Sequence, residues 1–116
     1  MIQRADDYLD HKAVELGPEL QRVCPNGIDI YFENVGGDVP RAVAPLLTKG
    51  GRVAICGYVS HYNAADITKV VMPQDILKEA PNVPEHRFFV VTEWMERWPK
   101  RCCVMAFVST SAASSR

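Results

Sequence analysis

The sequence predicts an α/β fold with a parallel sheet, and two observations carry that prediction. A β-rich run at residues 28–32 and an apolar run at residues 52–56 stand on either side of a helix candidate. A strand, a helix and a strand within about thirty residues form a βαβ unit, whose strands are parallel and whose crossover is right-handed. The second run is apolar at consecutive positions, as expected for a strand that is covered on both faces.

The helices are predicted from apolar spacing and from the residues at their ends. Residues 14–23 include apolar side chains at offsets of four and three, which lie on one face of a helix. A second helix is predicted over residues 39–47, with Asp38 as its N-cap. Pro45 falls late in that helix and is expected to bend or shorten it, and the glycines at residues 50–51 are expected to break it.

The C-terminal part of the chain is predicted to hold a third strand at residues 87–92 and a helix at residues 93–98. Residues 100–116 contain many small hydroxylated side chains without helical or strand periodicity, which favours a disordered terminus. We therefore divide the chain into one domain, residues 1–99, and a divergent tail, residues 100–116.

Composition and charge exclude several classes of partner. The chain has 116 residues, 47% of them hydrophobic and 23% charged, which is the balance of one soluble globular domain. Its 13 basic and 14 acidic side chains give a net charge of -1, so neither nucleic acid nor an anionic membrane is an expected partner. No apolar run approaches the ~20 residues of a membrane span and no signal peptide is evident, so we expect a cytoplasmic location.

The cysteines and histidines are spaced unfavourably for a metal site. The sequence has no C-x-x-C pair, and its histidines occur as scattered single residues. We therefore expect no metal. In a cytoplasmic chain we also expect reduced thiols, with Cys56 packed in the core.

Ligands of a parallel α/β sheet bind beyond the carboxyl ends of its strands, so the residues after each predicted strand are candidates for a site. After the first strand, Gly36 and Gly37 allow close approach of a ligand, and the helix start behind them is expected to offer free N–H groups to an anion. Taken alone, the glycines are explained by a turn into the helix, and Asn34 by its frequent use in turns. Residues 57–63 alone are compatible with a surface loop.

Several segments in order resemble one family of enzymes. Residues 27–37 read GIDIYFENVGG, residues 49–57 read KGGRVAICG, residues 60–63 read SHYN, and residues 87–94 read RFFVVTEW. Together they resemble the zinc-independent medium-chain dehydrogenases/reductases that act as NADP-dependent alkenal and alkenone double-bond reductases, over about residues 7–99. The resemblance implies the C-terminal half of a Rossmann-type dinucleotide-binding domain, which is doubly wound around a parallel sheet.

The resemblance also implies which residues bind the cofactor, NADP(H), and a small unsaturated carbonyl substrate. They are Asn34, Val35, Gly36, Cys56, Gly57, Tyr62, Asn63, Phe89, Val90 and Val91. Those after the first strand would line the cleft near the nicotinamide ribose. Those after the second would flank the dinucleotide or reach the substrate carbonyl, and the last three would form the wall against the nicotinamide ring.

The reaction implied by the resemblance is hydride transfer from NADPH to the β-carbon of an α,β-unsaturated aldehyde or ketone. Negative charge then develops on the carbonyl oxygen, and a hydrogen-bond donor aimed at that oxygen lowers the barrier. A phenol keeps its proton at neutral pH because tyrosine ordinarily titrates near pH ~10, so we predict that Tyr62 is the catalytic donor. The resemblance also implies paired cofactor domains, and hence a homodimer.

The sequence departs from the family pattern in two places. No glycine-rich G-x-G-x-x-G turn precedes Gly27, and the resemblance stops near Pro99. We therefore expect a partial domain whose isolated chain binds NADPH weakly or not at all, does not turn over substrate and exposes one edge and one face of its sheet. Two alternatives stay open: an S-adenosylmethionine-dependent methyltransferase-like domain, favoured by residues 46–53, and a non-catalytic interaction domain derived from a reductase.

Overall fold

The computed structural model describes residues 5–90 and 109–110 as one sheet with helices packed against it. The elements in this part are α1 (Leu16–Val23), β1 (Ile28–Glu33), α2 (Asp38–Val43), β2 (Leu47–Ile55), α3 (Pro73–Lys78), β3 (Glu85–Phe88) and β4 (Ser109–Thr110). Short 3-10 turns lie between them at Ala44–Leu46, Val59–His61 and Ile67–Lys69.

The sheet has four strands in the order β3-β2-β1-β4. β1, β2 and β3 are parallel to one another, with Tyr31 paired to Val53 and Val53 paired to His86. β4 is antiparallel to β1. The predicted α/β fold with a parallel sheet is therefore confirmed, and the carboxyl ends of the three parallel strands lie at the same edge.

The second helix is shorter than predicted. α2 ends at Val43, and the chain continues as a 3-10 turn, Ala44–Leu46, because Pro45 has no N–H to donate to the preceding turn. The N-cap is Gly37, so the expected N-cap, Asp38, is instead the first helical residue.

The second strand is longer than predicted and contains a bulge. It begins at Leu47, so the glycines at residues 50–51 lie within β2 and do not break a helix. The first of these glycines has φ +80°. Across the bulge the pairing changes from Ile28 opposite Leu47 to Ile30 opposite Arg52. The positive φ explains why glycine stands there.

The hydrophobic core lies between the helices and one face of the sheet. Its buried side chains are Leu20, Cys24, Ile28, Tyr31, Val43, Ala44, Leu47, Val53, Ile55, Ile76, Leu77 and Ala80. The opposite face is open in the described part of the chain, where Ile30 is 44% exposed and Arg52 is exposed between buried neighbours. The expectation that β2 is covered on both faces is therefore wrong here, because the described helices pack on a single face.

The segment between the second and third strands contains a helix that the sequence analysis does not predict. Pro73 lies in the first turn of α3 and Asp75 follows it there, both of which favour a helix start. Ile76 and Leu77 then fasten this short helix to the core.

The third strand and the tail also differ from the predictions. β3 covers Glu85–Phe88, two residues earlier at its start than the predicted run at residues 87–92. Within the predicted disordered tail, the backbone of Ser109–Thr110 pairs with β1. The predicted helix at residues 93–98 and the remainder of the tail lie outside the described residues.

Candidate functional site

The turn after β1 (residues 34–37, the first turn) is tied to the loop after β2 (residues 57–63, the second loop). The N–H groups of Val59 and Ser60 donate to carbonyl oxygens of the first turn at 3.1 and 2.9 Å. The N–H of Phe89, just after β3, donates to the carbonyl oxygen of the last residue of β2 at 3.1 Å. The three strand ends therefore form one continuous edge.

Asn34, Gly57 and Tyr62 lie together at this edge. A Cβ atom placed on Gly57 would lie 2.9 Å from Oδ1 of Asn34 and 3.5 Å from the hydroxyl oxygen of Tyr62. Glycine at this position therefore lets the Asn34 amide pack directly against the backbone, close to the Tyr62 hydroxyl. Asn34 is exposed and Tyr62 is 71% exposed, so both side chains can reach a ligand.

A cavity of about 330 Å³ opens beside Gly57 and Tyr62. It is lined by residues 55–58, Tyr62 and residues 88–90, so the ends of β2 and β3 and the second loop form its walls. Phe89 packs edge-to-face against Phe32, with the ring centroids 5.5 Å apart, which holds one apolar wall in place. A cavity with an aromatic wall and a few polar groups suits a planar ring with polar substituents.

The structure brings most of the predicted site residues to this edge. Those that line the cavity are Cys56, Gly57, Tyr62, Phe89 and Val90. The Asn34 side chain lies against Gly57, whereas Val35 and Gly36 lie in the first turn with their N–H groups directed at Glu33. Asn63 is exposed and does not line the cavity. Val91 lies outside the described residues, and the roles of all these residues stay predictions.

Glu33 is a buried carboxylate that the sequence analysis does not single out. Its Oε1 atom accepts hydrogen bonds from the N–H groups of Val35 and Gly36, each at 2.6 Å. Its Oε2 atom accepts a hydrogen bond from the hydroxyl of Tyr31. Burial of the phenol, followed by the nearby Glu33 carboxylate, raises the pKa of Tyr31, so this hydroxyl stays a donor.

The N–H groups of the first turn are not free, whereas the expectation that the start of the second helix offers free N–H groups to an anion stays a prediction. The N–H groups of Val35 and Gly36 are taken by Glu33, and the N–H of Gly37 donates to Nε2 of His61 at 3.1 Å. Since each of these donors has an acceptor within the chain, the turn supports the edge and does not bind an anion through them.

His61 is the second polar residue that the sequence analysis misses as a site residue. It is only 8% exposed, and its ring lies beside that of Tyr58 with the centroids 5.6 Å apart. Gly36 has φ +74°, and a Cβ there would lie 2.9 Å from Cβ of Tyr58 and 3.0 Å from Nε2 of His61. Only glycine lets the second loop close on the turn. Residue spacing gives no signal for this contact, because Gly37 and His61 are 24 residues apart.

The two described cysteines have opposite environments. Cys24 is buried in the core, and burial raises the pKa of its thiol. Cys56 is exposed and lines the cavity. The expectation that Cys56 packs in the core is therefore wrong, because β2 ends at Ile55 and the next residue already lies at the open edge.

The polar groups beside the cavity are an amide, a phenol and a thiol. Across residues 5–90 and 109–110, no group of three or more histidine, cysteine, aspartate or glutamate side chains could hold a metal ion. Among the helices in those ranges, none has the length and apolar character needed to cross a bilayer. The amide, phenol and thiol beside the cavity instead favour hydrogen bonds and apolar contacts with a small molecule.

Comparison with known proteins finds relatives of this segment. The chain is 52% identical over 62 residues to the NADPH-dependent curcumin reductase of Escherichia coli (strain K12), across 53% of this chain and 18% of that protein. It is 36% identical over 96 residues to the (+)-pulegone reductase of Mentha piperita, across 82% of this chain and 27% of that protein. No protein-family model matches the chain.

A solved structure supports the same similarity in three dimensions. CurA from Vibrio vulnificus in complex with NADPH superposes with a TM-score of 0.62 at 35% sequence identity, over 79% of this chain and 32% of that chain. The chain thus spans between 18% and 32% of the length of these three relatives.

Proposed function

Because this chain belongs to the family of NADPH-dependent alkenal and alkenone reductases, of which it covers one segment, we propose that it forms the nicotinamide side of an NADP(H)-binding cleft. The reaction served by the cleft is reduction of the carbon–carbon double bond of an α,β-unsaturated aldehyde or ketone. The observation that supports this proposal best is the meeting of Asn34, Gly57 and Tyr62 beside one cavity.

The residues around the cavity fit a nicotinamide cofactor. At Gly57 the missing Cβ lets the Asn34 amide pack directly against the backbone at the wall of the cavity. The ring of Phe89, held by Phe32, offers a flat apolar wall, and Val90 continues that wall. When bound, NADPH supplies the hydride for the reduction. We assign Asn34, Gly57 and Phe89 to cofactor binding, with Cys56 and Val90 lining the same cavity.

Tyr62 is the proposed catalytic residue. Its hydroxyl lies close to Gly57, and its 71% exposure lets the side chain turn toward a substrate. There the hydroxyl would donate a hydrogen bond to the substrate carbonyl oxygen. That bond strengthens as negative charge develops on the oxygen, so it lowers the barrier to hydride transfer.

The described chain provides few groups for the pyrophosphate of the cofactor. The N–H groups of Val35, Gly36 and Gly37 are already bonded to Glu33 and His61. Phosphate recognition normally draws much of its free energy from such backbone donors. We therefore propose that these 116 residues alone bind NADPH in the millimolar range and do not turn over substrate.

Finer features of the family complete the proposal. We assign the chain a Rossmann-type cofactor domain and a zinc-independent mechanism, as the resemblance of its motifs implies. A cytoplasmic location and pairing of cofactor domains in a homodimer are part of the same proposal. The methyltransferase-like and non-catalytic alternatives are not favoured, and the binding experiment separates both from the reductase.

The experiment is a titration of the ¹⁵N-labelled chain with millimolar NADPH, followed by NMR. The amide signals of Gly57, Tyr62 and Phe89 are expected to shift, whereas S-adenosylmethionine at the same concentration leaves them in place. Shifts with S-adenosylmethionine would favour the methyltransferase alternative, and no shift with either ligand would favour the non-catalytic one.

A matched pair of variants locates the binding site. Gly57→Val places a side chain against the Asn34 amide at the wall of the cavity and is expected to abolish the NADPH-induced shifts. Gly17→Val adds the same side chain in α1, where nothing lies within 4 Å, and is expected to leave them unchanged. Equal shifts in the two variants would contradict the assignment of this cavity to the cofactor.

A further inference from the structure

His61 joins the second loop to the first turn through a single hydrogen bond. The N–H of Gly37 donates to Nε2 of His61 at 3.1 Å, across 24 residues of sequence. The imidazole is 8% exposed and stands against Gly36, where the absence of a Cβ makes room for it. Tyr62 is the next residue, so the contact at His61 lies directly beside the Tyr62 backbone.

This hydrogen bond is compatible with only one form of the imidazole. A ring nitrogen accepts a hydrogen bond only when it carries no proton. Nε2 must therefore be unprotonated, and the proton of the neutral ring must be on Nδ1. Nδ1 is buried and has no hydrogen-bond partner among the described residues. A second proton on the ring would place the N–H of Gly37 against another N–H.

We propose that His61 is a positioning residue whose neutral imidazole adds a side-chain contact between the loop of Tyr62 and the Gly36–Gly37 turn, beside the backbone hydrogen bonds of Val59 and Ser60. A proton on Nε2 would remove the acceptor of the Gly37 N–H, so acid is expected to loosen the contact. Its consequence for catalysis rests on the proposed function, because that function gives Tyr62 its role. The hydrogen bond itself can be tested without any activity.

The other titratable groups around His61 do not replace the lost contact. On the side of the first turn, the Glu33 carboxylate is already bonded to the N–H of Gly36 and to two other donors. Asp38, at the start of α2, is exposed, so solvent screens its charge. Tyr58 and Tyr62, both in the second loop, are the other titratable residues near His61, and the ring of Tyr58 lies beside the imidazole.

The direct test is NMR of the whole ¹⁵N-labelled chain. At pH 7.5 the ring nitrogens of His61 are expected to show the Nδ1-protonated neutral form, and the Gly37 amide is expected to be protected from hydrogen exchange. At pH 5.5 its protection factor, which corrects for the intrinsic exchange rate, is expected to fall about fivefold, the factor that one ordinary hydrogen bond represents. A proton on Nε2 at pH 7.5 would overturn the proposal.

Three variants separate titration of His61 from a general effect of acid. His61→Gln keeps an acceptor that does not titrate, so Gly37 is expected to stay protected at both pH values. His61→Phe has no acceptor, so Gly37 is expected to lack protection at both. His11→Gln alters an exposed histidine and is expected to keep the pH dependence of the unchanged chain. The same acid-dependent loss in His61→Gln would refute the proposal.

Titration with NADPH at pH 7.5 and pH 5.5, followed at the Tyr62 amide signal, tests the positioning role of His61 separately from the proposed NADP(H)-binding function. A Tyr62 shift that weakens at pH 5.5 in the unchanged chain but not in His61→Gln supports the positioning role. A Tyr62 shift equal at both pH values, with Gly37 protection lost in acid, overturns that role and leaves the proposed function standing. No NADPH-induced shift at pH 7.5, with the Gly37 pattern as expected, overturns the proposed function and leaves the contact established.

Discussion

The first turn and the second loop lie side by side, yet they use their polar groups in opposite ways. In the first turn, the N–H groups of Val35, Gly36 and Gly37 all donate to side chains of this chain. In the second loop, the Tyr62 side chain is 71% exposed and Asn63 is exposed beside it. The first turn is therefore a support, and the second loop presents the surface that can meet a ligand.

The physical reason for this difference is the buried carboxylate of Glu33. A buried carboxylate is costly unless donors surround it, and the N–H groups of a tight turn are costly unless acceptors meet them. Each satisfies the other at the end of β1, so the first turn has a single arrangement. No comparable demand acts on the exposed side chains of the second loop, which keep their rotamer freedom.

Removal of the Glu33 carboxylate is expected to have the largest effect. Glu33→Ala leaves two backbone N–H groups and the Tyr31 hydroxyl without their acceptor. At about 1–3 kcal/mol for each orphaned donor, and with some relief from entering water, we expect a loss of about 3–5 kcal/mol in the free energy of unfolding. Urea denaturation followed by circular dichroism measures it.

Two further variants show whether the loss in the free energy of unfolding comes from the first turn. Glu33→Gln keeps an oxygen for the N–H groups of Val35 and Gly36, so its loss should be less than half that of Glu33→Ala. Tyr31→Phe removes only the phenol donor, and about 1 kcal/mol is expected. A loss below about 1 kcal/mol in Glu33→Ala itself would mean that the first turn does not depend on this carboxylate.

Replacement of glycine by alanine compares the first turn, at Gly36, with the second loop, at Gly57. At Gly36, φ +74° and a contact of 2.9 Å with Cβ of Tyr58 make alanine strained, so Gly36→Ala is expected to cost about 2–3 kcal/mol. At Gly57 the new Cβ meets the end of the exposed Asn34 side chain, which can move away, so a cost below about 1 kcal/mol is expected.

Gly17→Ala serves as the control in that comparison. It lies in α1 with nothing within 4 Å, and alanine favours a helix, so this variant is expected to keep or slightly raise the free energy of unfolding. Urea midpoints of the three variants, measured together, provide the ranking. Equal costs at Gly36 and Gly57 would show that the first turn is no more constrained than the second loop.

The parts of the fold that the sequence predicts are those determined by local patterns. α1 and β1 start within two residues of their predicted starts, because apolar spacing marks the helix and the β-rich run at residues 28–32 marks the strand. The convergence of strand ends follows from parallel topology alone. The start of β2 is missed because the glycines at residues 50–51 also suit a helix end, and only pairing with β1 shows that they form a bulge.

The supports of the site could not be predicted, because they depend on contacts between distant residues. Nothing in the spacing of Gly37 and His61 indicates a hydrogen bond across 24 residues. Glu33 stands at the end of an apolar strand, where an exposed acidic residue is equally common. Its burial depends on the Tyr31 hydroxyl and the turn both reaching the carboxylate, which only the folded backbone determines.

The smallest effect on stability is expected from alkylation of the exposed thiol. Cys56 lines the cavity and should react with N-ethylmaleimide, whereas Cys24 is 4% exposed and burial raises the pKa of its thiol, which lowers the reactive thiolate fraction. We expect labelling of Cys24 to be at least about tenfold slower. The two cysteines fall in different tryptic peptides, so mass spectrometry measures each rate in the presence of Cys102 and Cys103.

The chain alkylated at Cys56 then shows whether the cavity supports the fold or serves only as a binding surface. A label on Cys56 is expected to change the free energy of unfolding by less than about 0.5 kcal/mol, because it extends from the open edge and disturbs no core contact. The same label should abolish the NADPH-induced shift at Tyr62, since it occupies the shared cavity. Denaturation in urea should equalise the rates of Cys24 and Cys56. Equal rates in the folded chain would instead mean that the core around Cys24 opens as readily as the edge.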